Sequence, residues 1–222
     1  MNKIKAFIFD MDGTLIDTEK YYRIAWPRAL KEFGYSISDE QALTLRSLGQ
    51  PFAPDHLKKM MNDPYLDYQA IRARRSEIMS ELISEKGIQL KTGAKELLEF
   101  LTDKGITRAI ATATDMQRTR DYLDAVGIYD SFDKIVSATM VKEGKPSPYV
   151  YLYACEQLGI RPEECVAVED SPNGVLSAYR AGCKVIMVPD QAEPDEDIEK
   201  LLFCKVKSLS EIVLKADAFN LI

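Results

Sequence analysis

Carboxylates stand out among the residues of this chain that have the chemistry for a functional site. Asp10 and Asp12 follow one short apolar run, and Glu169 and Asp170 follow another. Acids placed this close together repel each other unless a cation lies between them. Hard carboxylate oxygens suit Mg²⁺, an ion that keeps several waters and binds the phosphate groups of substrates. The two acid pairs therefore predict a magnesium site that receives a phosphate ester.

The first acid pair has the groups that phosphoryl transfer requires, which are a nucleophile and a proton donor. Asp10 can attack phosphorus to form an aspartyl-phosphate. Asp12 can protonate the leaving oxygen and later deprotonate the water that hydrolyses the intermediate. Gly13 permits a tight turn through which backbone N–H groups approach a phosphate. Thr112 and Lys145 supply a hydroxyl and a positive charge for the transferring group.

The composition excludes several other classes of site. The 222 residues include one histidine, His56, so a zinc site with several histidines cannot form. A Ser–His–Asp or Cys–His nucleophile would depend on that single residue, which we expect to be a surface or packing residue. A calcium-binding loop beginning at Asp10 would need glycine and glutamate where the chain has Leu15 and Tyr21. Carboxylates are thus expected to do the chemistry.

Charge and hydropathy limit the partners and the compartment. Acids outnumber bases 35 to 29, and a net charge of -6 is unsuited to binding nucleic acid. The apolar run at residues 6–9 is too short for a signal peptide or a membrane span. The four cysteines form no Cys-x-x-Cys pair and are expected to be reduced and buried. We therefore expect a cytoplasmic monomer that binds a small molecule, with neither nucleic acid nor membrane as a partner.

Short apolar runs alternate with helical patterns over most of the chain. This alternation predicts a doubly wound α/β fold, with a mostly parallel sheet and helices on both faces. Because such sheets bind ligands at the carboxyl ends of their strands, the acid pairs and Thr112 are expected at one edge. The predicted strands are residues 5–9, 108–112, 134–137, 165–168 and 185–188. The predicted helices are residues 94–105, 115–126, 147–159 and 172–181, and a surface helix is expected to start within 193–197.

Residues 18–90 have a different hydrophobic pattern. Their apolar residues recur at helical spacing, without the alternation typical of strands. Three prolines, Pro51, Pro54 and Pro64, are expected to divide this region into separate short helices. We therefore predict a small α-helical domain at residues 18–90, inserted into an α/β core domain of residues 1–17 and 91–222.

The motifs, in this order, resemble the haloacid dehalogenase superfamily. Within it, the chain is similar to β-phosphoglucomutase-like and phosphoglycolate phosphatase-like members that carry a helical cap of the C1 type, and the resemblance covers essentially the whole chain. The residues that carry it are Asp10-Met11-Asp12-Gly13-Thr14, Thr112, Lys145-Pro146 and Glu169-Asp170.

The resemblance implies a role for each motif residue. Asp10 would be the nucleophile and a Mg²⁺ ligand, and Asp12 would be the general acid and base, with its backbone carbonyl on the metal. Thr112 and Lys145 would bind phosphate, and Asp170 would be the principal remaining metal ligand. Glu169 matches a position that is a ligand in only some members. The implied activity is Mg²⁺-dependent hydrolysis of a small phosphorylated metabolite, such as a sugar phosphate, through an aspartyl-phosphate.

Two alternatives remain open. The first is a sugar phosphomutase, whose pattern places a histidine where this chain has Tyr22 and an arginine soon after Gly49. Both are missing here, which favours the phosphatase. The second is an inactive binding or regulatory protein on the same fold, against which the complete motif set argues.

The substrate contacts are expected in the helical insert. The candidates there are Tyr22, Arg46 and Gln50, and further candidates for contacting an anionic leaving group are Arg23, Arg72, Arg74 and Arg75. The aromatic residues Tyr21, Tyr22 and Trp26 are expected in the core of the insert, with the alternative that one of them faces the cleft. Asp17 and Glu19 are expected to begin the connection to the insert, without a chemical role.

Overall fold

Six parallel strands form one sheet in the computed structural model, which describes residues 3–216. The spatial order is β3-β2-β1-β4-β5-β6, and every neighbouring pair is parallel. This confirms the predicted doubly wound α/β fold. The strands are β1 (Ala6–Phe9), β2 (Thr107–Thr112), β3 (Lys134–Ser137), β4 (Cys165–Glu169), β5 (Lys184–Met187) and β6 (Cys204–Lys205). Sequence analysis missed β6, because two residues are too short to show a pattern.

The α-helices of the described residues fall into two groups along the chain. Those between β1 and β2 are α1 (Glu19–Glu32), α2 (Asp39–Leu43), α3 (Phe52–Met61), α4 (Tyr68–Lys86) and α5 (Ala94–Asp103). Those that follow are α6 (Met116–Ala125), α7 (Tyr149–Leu158), α8 (Pro172–Ala181), α9 (Glu196–Glu199) and α10 (Leu209–Leu214). The predicted surface helix is α9, with Asp195 as its N-cap. No helix of residues 3–216 is long and apolar enough to cross a membrane.

Strand β1 is buried on both faces of the sheet, as parallel strands between helical layers usually are. Phe7 and Phe9 pack on one face with leucines of α5 and α6 and with α10. Ala6 and Ile8 pack on the other face, against α7 and α8. The alternation of side chains along a strand thus places one hydrophobic core on each side of the sheet.

Two predicted helix boundaries differ in the structure. Pro54 lies in the first turn of α3 and does not interrupt it, because the first N–H groups of a helix need no intrahelical acceptor. Ser147 is not the N-cap of α7, a position that Pro148 occupies. The Ser147 carbonyl instead accepts a hydrogen bond from Ser177 Oγ at 2.6 Å, which ties the start of α7 to α8.

Helices α1–α4 form a helical insert between β1 and α5 with a hydrophobic core of its own. Helix α1 packs along α4, where Trp26 and Tyr68 bring their rings to a centroid distance of 6.4 Å. Ile16 forms single β-bridges with Asp12 and with Leu90, so the two connections between insert and sheet lie side by side. The chain therefore enters and leaves the insert at one place, next to the end of β1.

Candidate active site

The candidate site lies where the order of the strands reverses, between β1 and β4. Asp10 directly follows β1, and its backbone N–H donates to the Val168 carbonyl of β4 at 2.9 Å. Glu169 is the last residue of β4. Open α/β sheets bind ligands in the crevice at such a reversal, outside the carboxyl ends of the strands. The fold therefore brings both predicted acid pairs to one crevice.

Three carboxylates form the centre of this crevice. Asp10, Glu169 and Asp170 are each no more than 1% exposed, and one oxygen from each lies within 4.8 Å of the other two. Each carboxylate also has an oxygen without a hydrogen-bond partner among the described residues, namely Asp10 Oδ2, Glu169 Oε2 and Asp170 Oδ1. Burial raises the pKa of Asp10 and of Asp170 well above the usual value, and neighbouring acids add to the effect. Oxygens that are buried, unpartnered and mutually repelling suit a divalent cation.

Two glycines make room for these carboxylates. Gly13 has a φ of +84°, and a Cβ there would lie 2.5 Å from Asp170 Oδ2. A Cβ on Gly174, in the first turn of α8, would lie 2.0 Å from Glu169 Oε2. Neither position has space for a larger residue, so the cluster depends on both glycines.

Lys145 lies completely buried between two of the acids. Its ammonium group donates to Asp10 Oδ1 and, at 2.6 Å, to Glu169 Oε1. Burial lowers the pKa of Lys145, but the charges of Asp10 and Glu169 outweigh this and raise it above the usual value. The Tyr151 hydroxyl donates to the same Glu169 oxygen at 2.6 Å. Lys145 is therefore a fixed positive charge beside Asp10.

Asp12 occupies a different environment, at the edge of the crevice. Thr18 Oγ1 donates to its Oδ1 at 2.6 Å, and Thr114 Oγ1 donates to its Oδ2 at 2.7 Å. Burial raises the pKa of Asp12, although these two hydrogen bonds oppose the change. A carboxyl group with a raised pKa suits proton donation near neutral pH.

Thr112 lies at the end of β2, buried at the same edge of the sheet. Its Oγ1 accepts a hydrogen bond from the Thr114 N–H at 3.0 Å. That contact orients the hydroxyl and leaves its hydrogen to donate to a ligand. Thr114 was not predicted from sequence, although its hydroxyl contacts Asp12 directly.

A cavity of about 360 Å³ opens between the crevice and the helical insert. Asp10 and Asp12 line its floor, and the three predicted substrate residues Tyr22, Arg46 and Gln50 all line its walls. The Tyr22 hydroxyl lies 3.4 Å from Thr114 Oγ1. The predicted substrate candidates therefore share one cavity with Asp10 and Asp12.

Other aromatic and basic residues also line the cavity wall, among them Arg75, which the sequence offered as a candidate for contacting an anionic leaving group. Trp26, expected in the insert core, also lines the cavity, whereas Tyr21 is a core residue as predicted. The Arg75 guanidinium is buried over the rings of Tyr22 and Trp26, 5.0 Å and 4.9 Å from their centroids. Arg118, at the start of α6, lines the same wall.

Glu19, to which the sequence analysis gave no chemical role, lies at the cavity. It lies in the first turn of α1, is 4% exposed and lines the cavity. The turn at Gly13 brings this helix start over the acidic cluster, since the Cβ position of Gly13 is only 2.8 Å from Glu19 Cγ. From the sequence alone, an acid at this position is explained equally well by its favourable interaction with the N-terminus of a helix.

His56 and the cysteines do not take part in the site. His56 is half-buried on α3, and its Nε2 lies 2.7 Å from Thr44 Oγ1. It does not line the cavity. All four cysteines are free thiols, with Cys204 half-buried and the others buried.

The comparisons with known proteins agree with this arrangement. The sequence pattern that defines the haloacid dehalogenase-like hydrolases matches residues 4–182. Hexitol phosphatase A of Escherichia coli is 35% identical over 86% of this chain and 86% of its own length. A phosphorylated carbohydrates phosphatase of Thermotoga maritima is 32% identical over 82% of this chain and 84% of its own.

A solved structure shows the same architecture. The crystal structure of CbbY from Rhodobacter sphaeroides in complex with phosphate superposes with a TM-score of 0.76 at 27% identity, covering 94% of this chain and 96% of that one. The chain thus belongs to the haloacid dehalogenase-like hydrolase family and is a phosphatase of that family.

Proposed function

We propose that the protein is a Mg²⁺-dependent phosphatase that hydrolyses a small phosphorylated metabolite, such as a sugar phosphate, through an aspartyl-phosphate on Asp10. The observation that carries this proposal is the position of Asp10, which Lys145 holds through one oxygen while the other has no partner. Asp12 lies two residues away in surroundings that favour its protonated form. Two relatives whose names specify phosphorylated carbohydrates or hexitols support the substrate class.

The residues that would hold Mg²⁺ are Asp10, Asp170 and the backbone carbonyl of Asp12, with Glu169 as a further carboxylate. The fit rests on the unpartnered buried side-chain oxygens of Asp10, Glu169 and Asp170. When bound, the ion neutralises the negative charge of the phosphoryl group.

The chain's own residues account for two successive transfers. In the first, the Asp10 carboxylate forms a bond to phosphorus while the bond from phosphorus to the leaving oxygen breaks, and Asp12 gives that oxygen its proton. In the second, the Asp12 carboxylate takes a proton from water. The resulting oxygen attacks phosphorus, the bond to Asp10 breaks, and inorganic phosphate leaves. Lys145 and the Thr112 hydroxyl stabilise the charge on the phosphoryl oxygens in both transfers.

We also propose that residues 18–90 act as a cap domain on a core domain of residues 1–17 and 91–222. Within this core, residues 1–2 and 217–222 lie outside the described part of the chain. The separate hydrophobic core of the helical insert and the cavity between insert and sheet support this division. We further propose that the protein acts as a monomer on a small phosphate ester.

The test is a Mg²⁺-supplemented panel of sugar phosphates, polyol phosphates, phosphoglycolate and nucleotides. Inorganic phosphate and the second product are both measured. We expect one phosphate released for each dephosphorylated alcohol formed. An isomerised phosphate ester without phosphate release would identify a phosphomutase, and no turnover on any ester would identify a binding protein. Either outcome overturns the proposal.

A further inference from the structure

Thr114 is a buried residue of the cavity that has no part in the proposed reaction so far. It lies in the loop between β2 and α6, is 7% exposed and lines the cavity. Its Oγ1 donates a hydrogen bond to Asp12 Oδ2 at 2.7 Å. A hydroxyl has one hydrogen to donate, so this contact uses the donor capacity of the Thr114 side chain completely. The hydroxyl is therefore directed at the carboxyl group that the proposed reaction uses as acid and base.

Asp12 accepts one hydrogen bond on each of its two oxygens. Thr18, the N-cap of α1, donates to Oδ1 at 2.6 Å, and Thr114 donates to Oδ2 from the opposite side of the group. Donors on both oxygens fix the plane of the carboxyl group, whereas a single donor would leave the group free to turn about that one contact. Each oxygen keeps a second lone pair, so the group can still carry a proton.

The backbone of Thr114 is held by contacts that do not involve its hydroxyl. The Thr114 N–H donates to Thr112 Oγ1 at 3.0 Å. Ser137 Oγ, at the end of β3, donates to the Thr114 carbonyl at 2.7 Å. The proposed phosphate-binding hydroxyl of Thr112 therefore depends on the backbone of Thr114, whereas Asp12 depends on its side chain. Loss of the Thr114 hydroxyl should disturb Asp12 and leave the phosphate-binding hydroxyl in place.

Tyr22 of the insert also lies near the Thr114 hydroxyl. The two oxygens are 3.4 Å apart. Hydrogen bonds between hydroxyl groups usually measure about 2.5–3.0 Å, so this contact is too long to hold either side chain firmly. The shorter contact with Asp12 is the one that orients the Thr114 hydroxyl.

A general acid depends on its position, because its proton must lie within hydrogen-bond reach of the leaving oxygen as the bond to phosphorus breaks. A displacement of about 1 Å can cost about 100-fold in rate. The loss depends on the leaving group. An alkoxide is strongly basic and must receive a proton, whereas a nitrophenolate is weakly basic and leaves without one. A misplaced acid therefore slows the first kind of ester much more than the second.

We propose that Thr114 is a positioning residue, which holds Asp12 in the orientation for proton transfer to the leaving oxygen. This inference rests on the proposed phosphatase activity and adds a residue that acts through Asp12.

The test compares two esters of similar size, benzyl phosphate and p-nitrophenyl phosphate, in the presence of Mg²⁺. Thr114→Val keeps the shape of the side chain and removes the hydroxyl. We expect kcat/KM for benzyl phosphate to fall about 10- to 100-fold and kcat/KM for p-nitrophenyl phosphate to stay within about threefold. The ratio kcat/KM reports the steps up to the departure of the alcohol, so hydrolysis of the aspartyl-phosphate does not enter the comparison.

Three controls separate positioning from a general structural effect. Thr114→Ser keeps the hydroxyl and should stay within about threefold of the unmodified protein on both esters. Thr102→Val makes the same change at an exposed position of α5 and should alter neither value. The inhibition constant of inorganic phosphate should stay within about twofold in Thr114→Val, because Thr112 keeps its contact with the backbone N–H.

Equal losses on both esters, or no loss on benzyl phosphate, contradict the role proposed for Thr114. A Thr114→Ser variant as slow on benzyl phosphate as Thr114→Val contradicts it too. If Thr114→Val does not fold, Thr114→Ala is measured with the same expected split. If the unmodified protein hydrolyses p-nitrophenyl phosphate alone, no acid serves the leaving oxygen and the role is overturned. No hydrolysis of any ester by the unmodified protein instead overturns the phosphatase proposal itself.

Discussion

Gly49 of the helical insert and Gly144 of the core meet backbone to backbone beside Lys145. The Gly49 N–H donates to the Lys145 carbonyl at 2.8 Å, and the Gly144 N–H donates to the Gln50 carbonyl at 2.7 Å. A Cβ on Gly144 would lie 2.7 Å from the Gly49 Cα, closer than real Cβ atoms come. The loop that carries Lys145 is thus held against the insert by a contact that requires glycine on both sides.

Gly144→Ala should therefore displace Lys145 without removing any catalytic group. We expect kcat/KM for phosphate release to fall about 10- to 100-fold, the cost that a displacement near 1 Å typically carries. Glu143→Ala, in the same loop, is the control and should stay near the unmodified value. Full activity of Gly144→Ala would show that the contact does not position Lys145.

Tyr151→Phe removes the hydroxyl that donates to Glu169 while keeping the buried ring. Because a hydrogen bond to a charged group is lost, the free energy of unfolding should fall by about 1–3 kcal/mol in a denaturant titration. Tyr153→Phe, a half-buried position on the same helix, is the control and should change it by less than about 0.5 kcal/mol. Equal changes in the two variants would contradict the role assigned to the Tyr151 hydroxyl.

The raised pKa of Asp170 predicts how the stability of the metal-free protein depends on pH. Burial, with repulsion from Glu19, puts this pKa above its value in the unfolded chain. The folded state then holds the proton more tightly, so the contribution to stability is present at about pH 4 and is lost as pH rises through the folded pKa. Asp170→Asn should flatten the fall in unfolding free energy as pH rises above about 4, measured with a chelator present. Asp103→Asn, at an exposed position, should leave that slope unchanged.

Mg²⁺ should stabilise the folded protein even without substrate. A ligand that binds only the folded state at 100 times its Kd adds about 2.7 kcal/mol. We expect the thermal unfolding midpoint to rise with Mg²⁺ concentration and to return when the metal is chelated. Asp170→Asn should lose most of this rise, whereas Asp103→Asn should keep it. A rise of the same size in Asp170→Asn would place the ion elsewhere.

Sequence patterns predicted the sheet well, because buried parallel strands appear as continuous apolar runs and their ends carry the acids. Asp10, Asp12, Glu169 and Asp170 were expected at one edge for that reason, and the structure brings them there. The strand β6 was missed, since a two-residue strand shows no period.

The upper wall of the cavity was less predictable, because it depends on how the insert folds back over the sheet. Glu19 shows the difficulty, since an acid in the first turn of a helix is common for local electrostatic reasons. Thr114 and Arg118 were not singled out because they meet residues of the insert, Tyr22 and Ser76, only in three dimensions. The contact between Gly49 and Gly144 likewise joins positions far apart in the chain.

The most direct test of the central claim is phosphate release by Asp10→Asn in the presence of Mg²⁺. This variant keeps the size of the side chain but removes the nucleophilic carboxylate. For Asp10→Asn, we predict no phosphate release above background and a thermal unfolding midpoint no lower than that of the unmodified protein. For the unmodified protein quenched with acid during turnover, we predict a phosphoryl group on the peptide that contains residue 10. Undiminished phosphate release by Asp10→Asn would contradict the mechanism.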